Sequence, residues 1–273
     1  MRRWLGRILF VFSVVLLAIS IYFLMGMFQE YRAEDELHDR LKEIHETAVL
    51  PTVPPKATEP IPIEPEKEPD DTQDDVTDEP EVVVDAGLIA LHAENADCIY
   101  WITIPETAID YPVMYRPQEK EYYLHRDFYG DYLASGSLYL AEDCDPEIGD
   151  NLIIYGHHMN SGSMFAALDQ YKSKDFYDEH PLVILQTLHG EETYRIMAAF
   201  ATPVYTGHDF AYYGFTNTAE KTEYESYVGE CLSRSFYDTG VTAVFGQRLL
   251  TLSTCEYSQK NGRMVVVAVR ETD

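Results

Sequence analysis

From Ile8 to Phe28 the chain runs for about 21 residues without a charged side chain, and at about 1.5 Å of rise per residue such a run spans a bilayer core as one helix. No other feature narrows the possible folds so far, because it takes the N-terminus out of any water-soluble core. Arg2, Arg3 and Arg7 precede the run. Positive charge held on the cytoplasmic side orients the helix with its N-terminus inside and everything after Phe28 outside. The run exceeds the apolar region of a secretory signal, and no small-x-small cleavage site follows it. Residues 1–32 are therefore expected to form an Arg-rich cytoplasmic tip and an uncleaved membrane anchor.

Beyond the anchor, Leu37, Leu41, Ile44 and Ala48 recur at helical spacing among charged neighbours. This predicts an amphipathic juxtamembrane helix over residues 33–50, whose narrow stripe suits either the folded domain or a second copy of the chain. Over residues 51–86 the composition turns to Pro, Glu and Asp, with Pro54-Pro55 and an acidic cluster at Asp70, Asp71, Asp74 and Asp75. Such a stretch buries too little apolar surface to offset its ordering entropy, so a disordered, self-repelling spacer is expected, holding the folded part off the membrane. Without a Gly at a loop turn, these acids read as a solvated charge run and not as a calcium site.

The folded domain is expected over residues 87–273. A short helical pattern at Leu88 and Leu91 leads into strand-like runs at 98–104, 109–114, 137–141, 151–155, 182–187, 193–201, 248–253 and 263–270. Two helical stripes interrupt them, one of Met164, Phe165, Leu168 and Tyr171, the other of Tyr224, Tyr227, Val228, Cys231 and Leu232. The expectation is a mostly β, α+β fold: a closed or sandwiched antiparallel sheet with flanking helices. The net charge of -27 excludes a nucleic-acid partner, since such binding depends on clustered Lys and Arg. The four cysteines, Cys98, Cys144, Cys231 and Cys255, are widely spaced with no CxxC pair. A chain this long needs no disulfide framework, and Cys231 on a core-facing stripe reads as a buried thiol. Cys98 and Cys144 are expected to be free as well.

Chemistry concentrates near the C-terminus. One apolar run ends at Cys255, the next begins at Arg263, and Asn261-Gly262 supplies a turn between them. Paired as antiparallel neighbours, the two runs put a thiol and a fixed cation side by side, suited to attack on a carbonyl and to stabilising the oxyanion that forms. A proton donor is still needed, and His157 follows the run 151–155 where a general acid could stand. Each residue alone is more often ordinary: a core Cys, a surface Arg, a loop His. A zinc hydrolase built on His157, His158 and His208 lacks recognisable ligand spacing.

The segments carrying these residues resemble the class B sortases. Leu252-Ser-Thr-Cys255 followed by Arg263 is similar to the family's Leu-x-Thr-Cys and Arg signature, and Tyr155-Gly-His157-His-Met-Asn160 to its catalytic-histidine segment. The likeness extends through Tyr100-Trp-Ile-Thr-Ile-Pro, Tyr122-Tyr-Leu-His-Arg-Asp127 and Gly136-Ser-Leu-Tyr139. It implies a mixed, sortase-type β-barrel with a long helix at about 217–235, and Cys255, His157 and Arg263 as catalytic residues, with His157 preferred to His158. It also implies that Tyr155, Ser253, Thr254 and Glu256 line the peptide groove, and that neither metal nor cofactor is needed. The implied substrates are secreted proteins with a C-terminal sorting signal, NPxTx- or LPxTG-like, cut after Thr through a thioacyl enzyme. The acceptor would be an amine of a peptidoglycan precursor or of a pilin Lys. A hydrolytic cell-wall cysteine peptidase would use the same nucleophile, but papain-like enzymes place the Cys at a helix start and ahead of the His. A non-catalytic surface module would share only the anchor, spacer and β-rich domain.

Overall fold

The computed structural model of the chain describes residues 2–49, 84–204, 210–257 and 261–271. Helix α1 (Arg2–Thr47) continues unbroken from the apolar run into the amphipathic segment. Neither Gly nor Pro occurs between Phe28 and Thr47 to interrupt it, so the expected anchor and juxtamembrane helix are one element. Phe12, Leu17, Phe23 and Leu24 stand exposed along its first half. Among the described residues it is the one helix long and apolar enough to cross a membrane.

The second half of α1 docks on the folded domain. Leu41 is buried, and Leu37 and Ile44 pack against a cluster containing Leu88, Leu91, Trp101, Met114 and Phe128. The ring of His45 stacks on Trp101 at 4.0 Å, and Lys42 Nζ donates to Asp110 Oδ2 at 2.5 Å. Helix α2 (Ala86–Glu94) crosses α1 at Gly87, where a Cβ would lie 2.1 Å from the carbonyl oxygen of His45. Only glycine permits that approach. Asp85 caps α2 by accepting from Leu88 N at 2.5 Å, and it also lies 3.2 Å from His45 Nε2. Residues 51–83, expected as a spacer, lie outside the described residues, but the flanking residues His45 and Asp85 meet. Helix α1 itself leads from the apolar run onto the domain.

Eight strands close a barrel: β1 (Cys98–Thr103), β2 (Asp110–Met114), β3 (Leu138–Leu140), β4 (Asn151–Tyr155), β5 (Leu182–Thr187), β6 (Gly190–Pro203), β7 (Leu249–Glu256) and β8 (Gly262–Arg270), in the order β1-β2-β3-β4-β7-β8-β6-β5. The sheet is mixed. β2 with β3 and β4 with β7 are parallel, the other neighbours antiparallel, which corrects the all-antiparallel expectation and agrees with the mixed barrel implied by the resemblance. Between β4 and β7 the chain makes β5, β6 and the intervening helices, a crossover of the length a parallel pair requires.

Side-chain alternation along β7 and β8 feeds two cores. Leu250, Leu252, Met264, Val266 and Ala268 fill the barrel interior. Leu249, Val265, Val267 and Val269 face outward beneath Tyr224, Tyr227, Val228 and Cys231 of α4 (Lys221–Arg234). Burial on both faces explains why β8 reads as an unbroken apolar run. The stripe at 164–171 is a 3₁₀ helix (Ala166–Lys172) where an α-helix was expected, followed by the short α3 (Lys174–Glu179). Phe165, Leu168 and Tyr171, each fully buried, recur every third residue, the period of a 3₁₀ helix.

Candidate active site

The barrel brings three adjacent strand ends together. In the antiparallel β7–β8 pair Cys255 stands directly opposite Arg263. In the parallel β4–β7 pair Tyr155 stands opposite Ser253, and Gly156 N donates to Ser253 O at 3.2 Å. His157 follows two residues beyond the end of β4, and Cys255 stands two residues beyond Ser253 on the neighbouring β7. Tyr257, just past Cys255, reaches over the same gap: its hydroxyl donates to the His158 carbonyl at 3.2 Å, and its ring meets that of His158 at 5.2 Å.

Local sequence accounts for these positions. Asn151, fully buried, donates from Nδ2 to Phe215 O at 2.8 Å and accepts at Oδ1 from Thr251 Oγ1 at 2.9 Å, which pins β4 to β7 in this register. A Cβ on Gly156 would lie 2.3 Å from Leu138 Cδ2 and 2.7 Å from Phe165 Cδ2, so the chain turns out of β4 at a place only glycine fits. Asn261, with φ of 56°, takes the left-handed conformation that enters β8.

Among the four thiols only Cys255 is partly exposed. Burial holds the Cys98 thiol well above its ordinary range and pushes those of Cys144 and Cys231 up to about 12, which leaves all three inert as nucleophiles. Cys98 and Cys144 are free, as expected. His157 is half-buried and donates from Nε2 to the Leu124 carbonyl at 2.8 Å. A carbonyl can only accept, so the proton is fixed on Nε2 and Nδ1 is left for proton exchange. His125 stacks on His157 at 5.1 Å. Desolvation, opposed by the Leu124 carbonyl and aided by His125, lowers the His157 pKa below its ordinary value. The neighbouring His158 keeps a buried Nδ1 without a hydrogen-bond partner.

Four other residues were expected to line a groove, and they divide. Tyr155 is partly buried at the end of β4, its ring tilted against that of Tyr139. Ser253, Thr254 and Glu256 are at most 3% exposed. Ser253 Oγ bonds the Tyr212 hydroxyl at 2.7 Å, and Glu256 accepts from Lys172 Nζ at 2.8 Å. The polar atoms of Ser253 and Glu256 are engaged within the fold, whereas the buried Thr254 hydroxyl has no hydrogen-bond partner among the described residues. The sequence reading missed the Leu124 carbonyl, His125, Tyr212 and Lys172. His125 lay within a segment already noted as family-like, but a backbone carbonyl leaves no sequence signal. A groove of about 790 Å³ adjoins the His157 loop, lined by Glu106, His158, Asn160, Asp169, Glu179 and His180. A cleft of about 660 Å³ lies at the opposite barrel end, around Tyr100, Glu192, Arg248 and Arg270. Among the described residues no group of His, Cys, Asp or Glu is arranged to hold a metal, and His208 lies outside them.

Comparison with known proteins agrees with this geometry. The sortase domain family matches residues 102–271. Sortase B of Listeria monocytogenes serovar 1/2a is 36% identical over 175 residues, covering 63% of this chain and 69% of that one. The sortase B of B. anthracis in complex with AAEK1 superposes with a TM-score of 0.69 at 26% identity, over 90% of this chain and 100% of that one. A Staphylococcus aureus sortase B–substrate complex gives a TM-score of 0.62 at 27% identity, over 68% and 85% of the two chains. With a family match over more than half its length and a solvent-reaching thiol set between a histidine and an arginine, the chain belongs to the sortase family and is a cysteine transpeptidase of the sortase B class.

Proposed function

We propose that Cys255, His157 and Arg263 are the catalytic residues, and that the enzyme cuts an NPxTx- or LPxTG-like C-terminal sorting signal of secreted proteins after its Thr. The observation that carries this reading is the placement of His157, Cys255 and Arg263 on three neighbouring strand ends, with Cys255 the one thiol open to solvent. The Cys255 thiolate attacks the Thr carbonyl carbon, and the Arg263 guanidinium stabilises the oxyanion. As the C–N bond breaks, the His157 imidazolium gives its proton to the departing amine, leaving a thioester on Cys255. An acceptor amine then attacks the thioester and loses its proton to His157. The C–S bond breaks, and the thiolate returns.

The acceptor is an amine of a peptidoglycan precursor or of a pilin Lys, and the catalytic domain faces outward, with Arg2, Arg3 and Arg7 inside. Tyr155, partly buried opposite Ser253 and the most accessible of the four, is the groove residue. Ser253, Thr254 and Glu256 support the strand end from within. The test uses the full chain in detergent micelles with fluorogenic peptides of both signal types, with and without added amine, beside Cys255→Ala. Cys255-dependent cleavage after Thr with product joined to the amine supports the proposal. Cleavage to acid alone under abundant amine favours a hydrolytic peptidase.

A further inference from the structure

Helix α1 does more than link the apolar run to the barrel, because the face it docks touches the loop that carries His157. The residues of α1 turned toward the domain are Glu34, Leu37, His38, Leu41, Lys42, Ile44 and His45, a stripe at helical spacing. At its start Glu34 Oε1 accepts from Ser163 Oγ at 2.7 Å. One turn later the ring of His38 packs on Tyr111 at 4.5 Å, and the Tyr111 hydroxyl accepts from Met164 N at 3.1 Å. Ser163 and Met164 sit in the loop that leaves His157. Met164 is held at φ of 56° and bridges His158, and Phe165 N donates to the His157 carbonyl at 2.9 Å. The same docking surface also reaches Leu124, whose carbonyl fixes His157 Nε2.

A non-glycine residue held in the left-handed region is strained unless its surroundings over-determine it. Here two of the bonds that hold the loop come from a hydroxyl on β2 and a carboxylate on the juxtamembrane helix. We propose that the docked part of α1 is a positioning element for the His157 loop, with Glu34 and Tyr111 as positioning residues. Transfer by Cys255 then depends on a segment remote in sequence, on the membrane side of the domain. The inference rests on His157 being the proton carrier. It is specific about range: Glu34 lies only six residues beyond Phe28, about 9 Å along a helix, so the loop is held close to the end of the apolar run.

The test uses the full chain in detergent micelles and compares Glu34→Ala, Glu34→Gln, Ser163→Ala, Tyr111→Phe and the double variant Glu34→Ala/Ser163→Ala. Hydrogen exchange over residues 157–165 needs no substrate. It should rise in Glu34→Ala, Ser163→Ala and Tyr111→Phe while β7 and β8 stay protected. In transfer assays, kcat should fall about three- to tenfold with KM nearly unchanged, a loss of about 0.7–1.4 kcal/mol in barrier terms. Glu34→Gln, which keeps an accepting oxygen, should return to within about twofold of the parent. The double variant should be no worse than either single, as expected when both remove one interaction. Unchanged exchange at 157–165 in Glu34→Ala overturns the inference whatever the enzyme's substrate. So does a loss that Gln fails to rescue and that follows the melting temperature. A parent that shows the exchange pattern but cleaves neither peptide leaves the positioning role standing and contradicts the proposed signal.

Discussion

At the scale of single residues the account turns on one thiol, one guanidinium and one imidazole whose surroundings differ. Arg263 is fixed opposite Cys255 and donates from Nη1 to the Gly262 carbonyl at 3.1 Å, which orients its planar head. Arg263→Ala should lower kcat/KM by about 10²–10³, the usual cost of removing an oxyanion donor. Arg263→Lys should recover only part, since a point charge on a flexible stem does not reproduce the fork. Steady-state kinetics on both variants checks this. His157 carries its depressed pKa because burial disfavours the imidazolium, with His125 adding a smaller push in the same direction. Its protonated form grows as pH falls, through a midpoint lower than that of an ordinary imidazole. His125→Ala removes both a covering ring and a like charge, so the His157 midpoint should move up. Imidazole NMR titration reads the shift, and an unchanged or lower midpoint contradicts the assigned cause.

At the scale of elements, the register of β4 against β7 decides whether the histidine and the thiol meet. Asn151 sets it with bonds to Phe215 and Thr251, and its Nδ2 also reaches the Tyr227 hydroxyl of α4 at 3.3 Å. Asn151→Ala should cost about 1–3 kcal/mol by leaving buried groups unpaired, seen as a lower denaturant midpoint, with activity falling further than stability. All eight strands were legible as β-branched and aromatic runs, because their apolar content is dictated by burial on one or both faces. The parallel pairing was not, since a strand's composition does not reveal which neighbour it finds across a crossover. The stripe at Phe165, Leu168 and Tyr171 suits both a helical and a 3₁₀ period, and the strained entry at Met164 decides for the latter. The nearness of Cys255 to Arg263 was legible because two apolar runs flank the short Asn261-Gly262 turn that pairs them. The resemblance implied that Ser253 and Glu256 line the groove, and the partners that hold them in the fold, Tyr212 and Lys172, come from distant parts of the chain.

At the scale of the whole molecule, a helix of 46 residues, about 69 Å long at 1.5 Å per residue, carries the chain from the apolar run onto the barrel flank. His45 and Asp85, which flank the acidic stretch, meet at 3.2 Å, so a much shorter connection could span the gap between them. Replacing residues 51–83 with a short Gly/Ser linker should leave kcat/KM within about twofold. The melting temperature should hold or rise slightly, since each halving of a closed loop returns about 0.6 kcal/mol. Differential scanning calorimetry and the peptide assay check this, and loss of folding would show that the stretch has a structural role.

The central claim is that Cys255 carries the acyl group between two amines, and the most direct measurement is intact-mass spectrometry of the full chain, quenched during turnover of a sorting-signal peptide. The account predicts an adduct equal to the peptide's fragment up to Thr, mapped to Cys255, absent in Cys255→Ala and discharged as an amide when amine is added. No adduct with either signal type, or an adduct on another residue, would contradict it.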